Sequence, residues 1–346
     1  MPYELPPDPR AARRTRIAGW VTFGFAASLV GLTAYLGYVG YEGSRQLTDA
    51  PAPSTDCRTP AVFGWAYEAV NYDLAADAAL AAEADPTACT AVGARAGDAV
   101  TGPGGTALAA WYVPLEGAEP AGPTVVLVHG WGSNKSQMLE RARMLHDRYH
   151  LLLVDLRNHG QSGDAATTQG VDEAGDLAAM LDWLEAEKAP DRIAVLGVSM
   201  GGAAALAAAS RDDRIDALIV ESTHATLANA VQARLDRSGY PLSMPGSWAT
   251  LLGTLLRTGE DTTSIDPVGT IARLDTRPIL LVYGGRDGSI GPDDPTDLRD
   301  AATSADVAAE LHVCAEAGHA ASPDLCAEDY ASWVLGFLDR TIGPGS

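Results

Sequence analysis

Three side chains in this sequence have the types and settings that acyl-transfer chemistry requires. Ser199 lies in Gly197-Val198-Ser199-Met200-Gly201-Gly202, after the apolar run Ile193 to Leu196 and before an Ala-rich helical pattern. A bare G-x-S-x-G is a weak signal. Between a buried strand and a helix it reads as a sharp turn whose strained serine needs small neighbours two residues away on either side. The helix N-terminus would favour negative charge developing beside that serine. A hydroxyl is a poor nucleophile, so it needs a base, and the base needs an orienting acid. Asp287 follows the apolar run Ile279 to Tyr283, and His319 sits between Gly318 and Ala320 after a run ending at Val313. The expected set is Ser199 as nucleophile, His319 as general base and Asp287 as its partner, with Glu221 as the alternative acid. Two backbone amides, of Met200 and of Trp131 in His129-Gly130-Trp131-Gly132, are expected to receive the oxyanion. His129 would then buttress that loop without moving protons. His146, His150, His159, His224 and His312 lack the Gly-flanked loop after the last strand that singles out His319.

These residues can meet only if the elements before them share one sheet edge. From about Ala96 the sequence alternates strand and helix patterns, which predicts an α/β fold with a mostly parallel sheet covered on both faces. The expected strands are Thr124 to Val128, Leu151 to Val154, Ile193 to Leu196, Ala217 to Val220, Ile279 to Tyr283 and Ala309 to Val313. Each site residue then follows a strand at its C-terminal end, where functional groups of open α/β sheets converge. Asp98 to Thr101 and Thr106 to Val113, around Gly102-Pro103-Gly104-Gly105, predict an opening hairpin. Asp172 to Lys188 predicts a helix with Asp176 on its polar side. Residues 222–276 predict a small helical cap over one end of the sheet. Its Trp248, Leu251, Leu252, Leu255 and Leu256 would serve either as an apolar acyl-binding wall or as plain packing.

The N-terminus differs from the rest of the chain. No charged residue occurs from Ile17 to Tyr41, and a bilayer crossing takes about 20 apolar residues. Arg10, Arg13, Arg14 and Arg16 precede this stretch and Glu42 follows it, which predicts a cytoplasmic N-terminus and an exterior catalytic domain. Gly24 with Ser28, and Ala27 with Gly31, have small-xxx-small spacing suited to helix packing. Leu47 to Pro60 reads as a tether, and the Ala-rich Val62 to Glu83 as a helical neck. The resulting division is 1–16 tail, 17–41 membrane helix, 42–95 tether and neck, and 96–346 catalytic domain. All four cysteines lie beyond the span, and pairing in an oxidising exterior is expected as Cys57 with Cys89 and Cys314 with Cys326, each pair being local.

Composition excludes further classes. With 45 acidic and 24 basic residues, a net charge of −21 disfavours nucleic acid as a partner. At 47% hydrophobic the chain is neither disordered nor fibrous.

From about Ala96 to Arg340 the chain resembles the α/β-hydrolase superfamily, and within it membrane-anchored or secreted members of the serine aminopeptidase and acylglycerol lipase-like group. The likeness rests on Trp111-Tyr112-Val113-Pro114, His129 to Gly132, Asp155 to Ser162, the Ser199 turn, Glu221-Ser222 and the loops of Asp287 and His319. It implies attack by Ser199 on an acyl carbonyl, proton transfer through His319, orientation by Asp287, and release of the acyl group to water. The substrate would be a small-molecule or lipid acyl compound, the lipid bilayer a partner through the N-terminal helix, and no metal or organic cofactor is implied. A peptidase or amidase, an acyltransferase, and a catalytically silent interaction domain are the alternatives. Two features depart from the family pattern: Gly288-Ser289-Ile290-Gly291-Pro292 replaces the usual apolar-Pro continuation after Asp287, and Cys314 and Cys326 flank His319.

Overall fold

The computed structural model describes residues 9–49, 56, 58–71, 100–119 and 121–343. The chain opens with helix α1 (Pro9–Thr48), followed by strands β1 (Glu68–Val70), β2 (Ala109–Val113) and β3 (Thr124–Val128). Helix α2 (Leu139–Leu145), β4 (His150–Asp155), α3 (Val171–Lys188), β5 (Ile193–Val198), α4 (Met200–Ala209) and β6 (Ala217–Glu221) come next. A cap of α5 (Leu227–Arg237), α6 (Ser243–Thr258) and the short α7 (Pro267–Ile271) interrupts the alternation. It resumes with β7 (Ile279–Gly284), α8 (Asp294–Ser304), β8 (Ala309–Cys314), α9 (Ser322–Leu325) and α10 (Ala327–Thr341).

The strands form one eight-stranded sheet in the order β1-β2-β4-β3-β5-β6-β7-β8, antiparallel at β1–β2–β4 and parallel beyond. Central strands such as Thr-Val-Val-Leu-Val of β3 are apolar at every position because helices cover both faces. Val126 and Val128 point toward Leu177 and Met180 of α3 and the alanines of α4. Val125 and Leu127 point the other way, toward Leu139 of α2 and Phe337 of α10. The α/β expectation is borne out, and the parallel run places the ends of β3, β5, β6, β7 and β8 along one edge.

Four expectations need correction. The opening hairpin shrinks to a single antiparallel bridge between Thr101 and Ala107, because Pro103–Gly105 is a 3-10 turn and pairing starts only at Ala109. Part of the expected helical neck is instead β1, which pairs with β2 and supplies the sheet's first edge strand. Asp176 does not face solvent: Arg157 reaches it at 2.6 Å and it is fully buried. The N-terminal helix does not end at Tyr41 but runs to Thr48. Cys57, Cys89 and residues 72–95 of the expected neck lie outside the described residues.

The end of α1 belongs to the cap. Ala18 to Ala34 is exposed, whereas Val39, Gly40, Ser44, Leu47 and Thr48 are buried against α6. The two helices run parallel, Tyr35 Oη donating to the Pro241 carbonyl at one end and Arg257 Nη2 reaching Asp49 at 2.6 Å at the other. Close approach depends on small residues. A Cβ on Gly40 would lie 2.7 Å from the Ala249 carbonyl, and one on Gly253 only 2.5 Å from the Gly40 carbonyl. The last carbonyls of α1 are satisfied from the loop before α3, by Gln169 Nε2 to Leu47 at 2.8 Å and Thr167 N–H to Thr48 at 3.0 Å. With α6 presenting Gly246, Ala249, Thr250 and Gly253 to α1, its other side faces outward. Trp248, Leu252, Leu255 and Leu256 are therefore exposed, and only Leu251 packs inside. They form neither an acyl-binding wall nor internal packing.

Candidate active site

Ser199 stands between β5 and α4 with φ 54° and ψ −117°, a backbone region that side chains other than glycine rarely adopt. The surroundings hold it there. Its amide donates to the Glu221 carbonyl at 2.8 Å, and its own carbonyl accepts from Gly202 N–H at 3.0 Å as the first turn of α4. The flanking glycines are required by space. A Cβ on Gly197 would meet the Gly201 carbonyl at 2.5 Å, and one on Gly201 the carbonyls of Val128 and His129 at the same distance.

The loop after β3 presses on this turn, a Cβ on Gly130 falling 3.2 Å from Ser199 Cβ. Two buried histidines shape the loop. His129 Nε2 accepts from the Leu156 amide at 3.1 Å while its Nδ1 meets the Gly130 carbonyl at 2.8 Å. His159 Nε2 accepts from the Gly132 amide at 3.0 Å, with Nδ1 at 2.8 Å from the Arg157 carbonyl. Both rings are thereby neutral and fully used. Burial, reinforced by His129, pushes the His159 pKa down to about 4. Its folded value lies below the unfolded one, so unfolding takes up a proton, and the stability present above pH ~6.5 is lost as pH falls toward 4. Replacing His159 by Gln should flatten the dependence of unfolding free energy on pH between 6.5 and 5 by about 1 kcal/mol per pH unit. Denaturant titrations of both proteins at pH 7.5, 6.5 and 5 measure this; equal slopes would refute it.

Asp155 braces the same loop from below, accepting from the Lys135 amide at 2.7 Å and the Gln161 amide at 2.9 Å, with the Lys135 ammonium completing a buried pair. Arg157 ties the segment to α3 through Asp172 and Asp176.

At the far end of the sheet, His319 Nδ1 lies 2.8 Å from Asp287 Oδ2. The Asp287 side chain is only 2% exposed and the His319 side chain 30%. The unusual Gly288-Ser289 continuation is part of the geometry, since the Ser289 amide donates to Asp287 Oδ1 at 2.8 Å. The two loops are stitched together by Arg286 N–H to the Ala317 carbonyl and Gly285 N–H to the Cys314 carbonyl, both at 2.8 Å. Glu221 is engaged elsewhere. Arg141 grips it with two bonds of 2.8 and 2.7 Å, and Tyr330 Oη donates at 2.8 Å. Arg141 also donates to the Ala320 carbonyl at 2.9 Å, one residue beyond His319. Arg141 carries no functional signal in the sequence beyond being a lone arginine on an otherwise apolar helix face.

Cys314 and Cys326 are bonded, closing the twelve-residue separation that contains His319. A closed loop of this size restricts the chain by about 3 kcal/mol in the entropic account. Reduction should therefore lower the hydrolytic rate of protein that circular dichroism shows to be still folded. Equal rates with and without reductant would remove the disulfide from any role at His319.

Ser199 and His319 line two cavities that meet at the Ser199 turn. One, of about 450 Å³, is walled by Leu227, Val231 and Leu235 of α5 and by Val39, Gly43 and Leu47 of α1, with Trp131 and Met200 also on its surface. The apolar wall thus comes from α1 and α5, not from the exposed leucines of α6. The other, of about 480 Å³, is polar, with Asp56, Arg58, Glu140 and Asp324. Met200 and Trp131, whose backbone amides are expected to receive an oxyanion, both line the first cavity, and among the described residues neither amide donates elsewhere.

A sheet of this order with a strained serine after β5 is the architecture of a hydrolase fold, and comparison with known proteins agrees. Residues 123–273 match the family model described as alpha/beta hydrolase fold. The chain has the α/β-hydrolase fold. It is 27% identical over 188 residues to the Escherichia coli K12 protein YfhR, covering 53% of this chain and 60% of that protein. It is 30% identical over 151 residues to lipase 1 of Psychrobacter immobilis, covering 43% and 44%. The alignment thus spans about three-fifths or less of these relatives. Among solved structures, an esterase of Pyrococcus furiosus superposes with a TM-score of 0.65 at 21% identity, over 86% of this chain and 99% of that one. An acylaminoacyl peptidase of Pyrococcus horikoshii gives 0.54 at 15% identity, over 69% and 40%.

Proposed function

We propose that this hydrolase is a serine esterase, acting on carboxylic esters through Ser199, His319 and Asp287. The observation that carries the reading is the 2.8 Å bond from a buried Asp287 to His319, which lines the same cavity as a serine held at positive φ. Asp287 accepts from Nδ1–H and so leaves Nε2 free to take the Ser199 proton. The oxyanion of the tetrahedral intermediate is received by the amides of Met200 and Trp131. His319 then returns the proton to the leaving alcohol, and water repeats the sequence to free the acid. The apolar cavity suits an acyl chain, the polar one a departing alcohol, and the likeness to lipase 1 favours ester over amide.

The protein is further proposed to be anchored by α1 with the catalytic domain outside the cytoplasm. Ala18–Thr48 contains an apolar stretch long enough to cross a bilayer, Arg13, Arg14 and Arg16 lie at its start, and the cap packs directly on its end. Leu242 and Met244 are exposed beside Tyr35, where the packed part of α1 gives way to the bare part. The full chain should remain in the membrane fraction after alkaline carbonate washing; release would refute the anchor. A panel of p-nitrophenyl esters from acetate to laurate, set against peptide p-nitroanilides, tests the chemistry. Turnover of esters with negligible anilide cleavage is expected, and the reverse order would replace the esterase reading by a peptidase.

A further inference from the structure

Two arginines that no carboxylate pairs among the described residues line the cavity over Ser199. Arg234 and Arg237 lie three residues apart on α5, on adjacent turns of one helix face, and both line the cavity. The buried arginines are paired, Arg141 with Glu221 and Arg157 with Asp176, whereas the half-buried Arg234 and the exposed Arg237 are not. Among the described residues, Arg234 and Arg237 form no ion pair. Their side-chain bonds are long and to neutral groups, Gln46 Oε1 at 3.3 Å and Ser289 Oγ at 3.2 Å. Glu42, the carboxylate on the cavity wall, is 3.8 Å from Arg45. Arg234 is half-buried, and its guanidinium stands 5.1 Å over the ring of Trp131, the residue whose amide is assigned to the oxyanion. Burial first, and Arg237 second, push its pKa below the ordinary arginine value, so its surroundings disfavour the charge that it carries. His224, buried in the same wall, has Nε2 without a hydrogen-bond partner among the described residues.

Two like charges beside an apolar cavity, neither within ion-pair distance of a carboxylate among the described residues, make a site for an anion. We infer that Arg234 and Arg237 form a subsite for an anionic group of the substrate, so that the ester hydrolysed here carries a phosphate or carboxylate close to its scissile carbonyl. The inference rests on the serine-esterase reading. The planar guanidinium fork matches either anion with two parallel bonds. It also supplies local attraction in a chain whose overall field repels anions.

Two matched pairs of substrates separate the sources of the charge. p-Nitrophenyl butyrate against mono-p-nitrophenyl glutarate places a carboxylate on the acyl side, and 1-butyrylglycerol against 1-butyrylglycerol 3-phosphate places a phosphate on the alcohol side. In at least one pair the anionic member should show about tenfold or greater kcat/KM over the neutral one, through KM. The ratio should fall to about one in Arg234→Gln/Arg237→Gln and recover in part in Arg234→Lys. A merely structural loss would lower both members equally and leave the ratio intact, which would overturn the subsite, as would ratios of one in wild-type protein. Calorimetric titration of butyl phosphate into Ser199→Ala protein reads binding without turnover, and it should be lost in the double arginine variant. Arginine-dependent binding without turnover of any ester would retain the subsite and defeat the esterase reading. Turnover of neutral esters with neither anion preference nor butyl phosphate binding would do the opposite.

Discussion

Ser199→Ala should lower kcat/KM for p-nitrophenyl butyrate by about 10⁴-fold or more while leaving the protein folded. The size follows from the division of labour in the site. With the hydroxyl gone there is no acyl-enzyme route, and what remains is water attack assisted by the Met200 and Trp131 amides. Stability should hardly change, because alanine at φ 54° bears the same backbone strain as serine. Ser199→Gly makes the complementary case: it is equally inactive but relieves the left-handed conformation, so its unfolding midpoint should not fall and is expected to rise. A fluorophosphonate probe should label wild-type protein and neither variant. Residual activity within tenfold of wild type in Ser199→Ala, measured on protein freed of contaminating esterase, would mean that the nucleophile lies elsewhere.

What the sequence disclosed and what it concealed divide along physical lines. Parallel strands buried on both faces are continuous apolar runs, so β3 to β7 were legible almost to the residue, while the half-exposed edge strand β8 showed through Leu311 and Val313 alone, and the loops after β5, β7 and β8 pointed to Ser199, Asp287 and His319. β1 has only Glu-Ala-Val, too short for any period, and its existence depends on the partner strand β2. Asp176 read as solvent-facing because charge periodicity cannot show that Arg157 waits on the inner side. The stretch without charge announced a membrane span but not the second task of α1. Small residues at Gly24 and Ser28 drew attention, yet they are exposed. The packing small residues are Gly40, Gly43 and Ser44, at the end of that stretch and past it, where they meet Ala249, Thr250 and Gly253. Tertiary pairing likewise hid the unpaired state of Arg234, since a sequence shows which charges exist but not which are neutralised.

Arg141→Leu is expected to produce the largest loss of stability among single changes at the site, about 3–5 kcal/mol. The Glu221 side chain is fully buried, and Arg141 supplies two of its three hydrogen bonds. Burial by itself would lower the arginine's pKa, and the Glu221 carboxylate outweighs it and holds the guanidinium charged. Deleting the guanidinium leaves a carboxylate with only Tyr330 Oη as donor. A double-mutant cycle separates this penalty from the net worth of the pair. Arg141→Leu/Glu221→Leu removes both charges and should recover much of the lost stability, so that the coupling energy is large while the double variant is only modestly impaired. The same arginine holds the Ala320 carbonyl, and Ser222 Oγ accepts from the Ala320 amide at 3.0 Å, so both ends of the residue after His319 are fixed from the β6 side. Among molecules that remain folded, Arg141→Leu should therefore lower kcat with little change in KM, and Arg141→Lys, which restores one donor and the charge, should regain part of it. An unfolding free energy within about 1 kcal/mol of wild type would contradict the buried pair as described. Unaltered kcat in the folded fraction would confine Arg141 to stability and leave the placement of His319 to Asp287 and the disulfide.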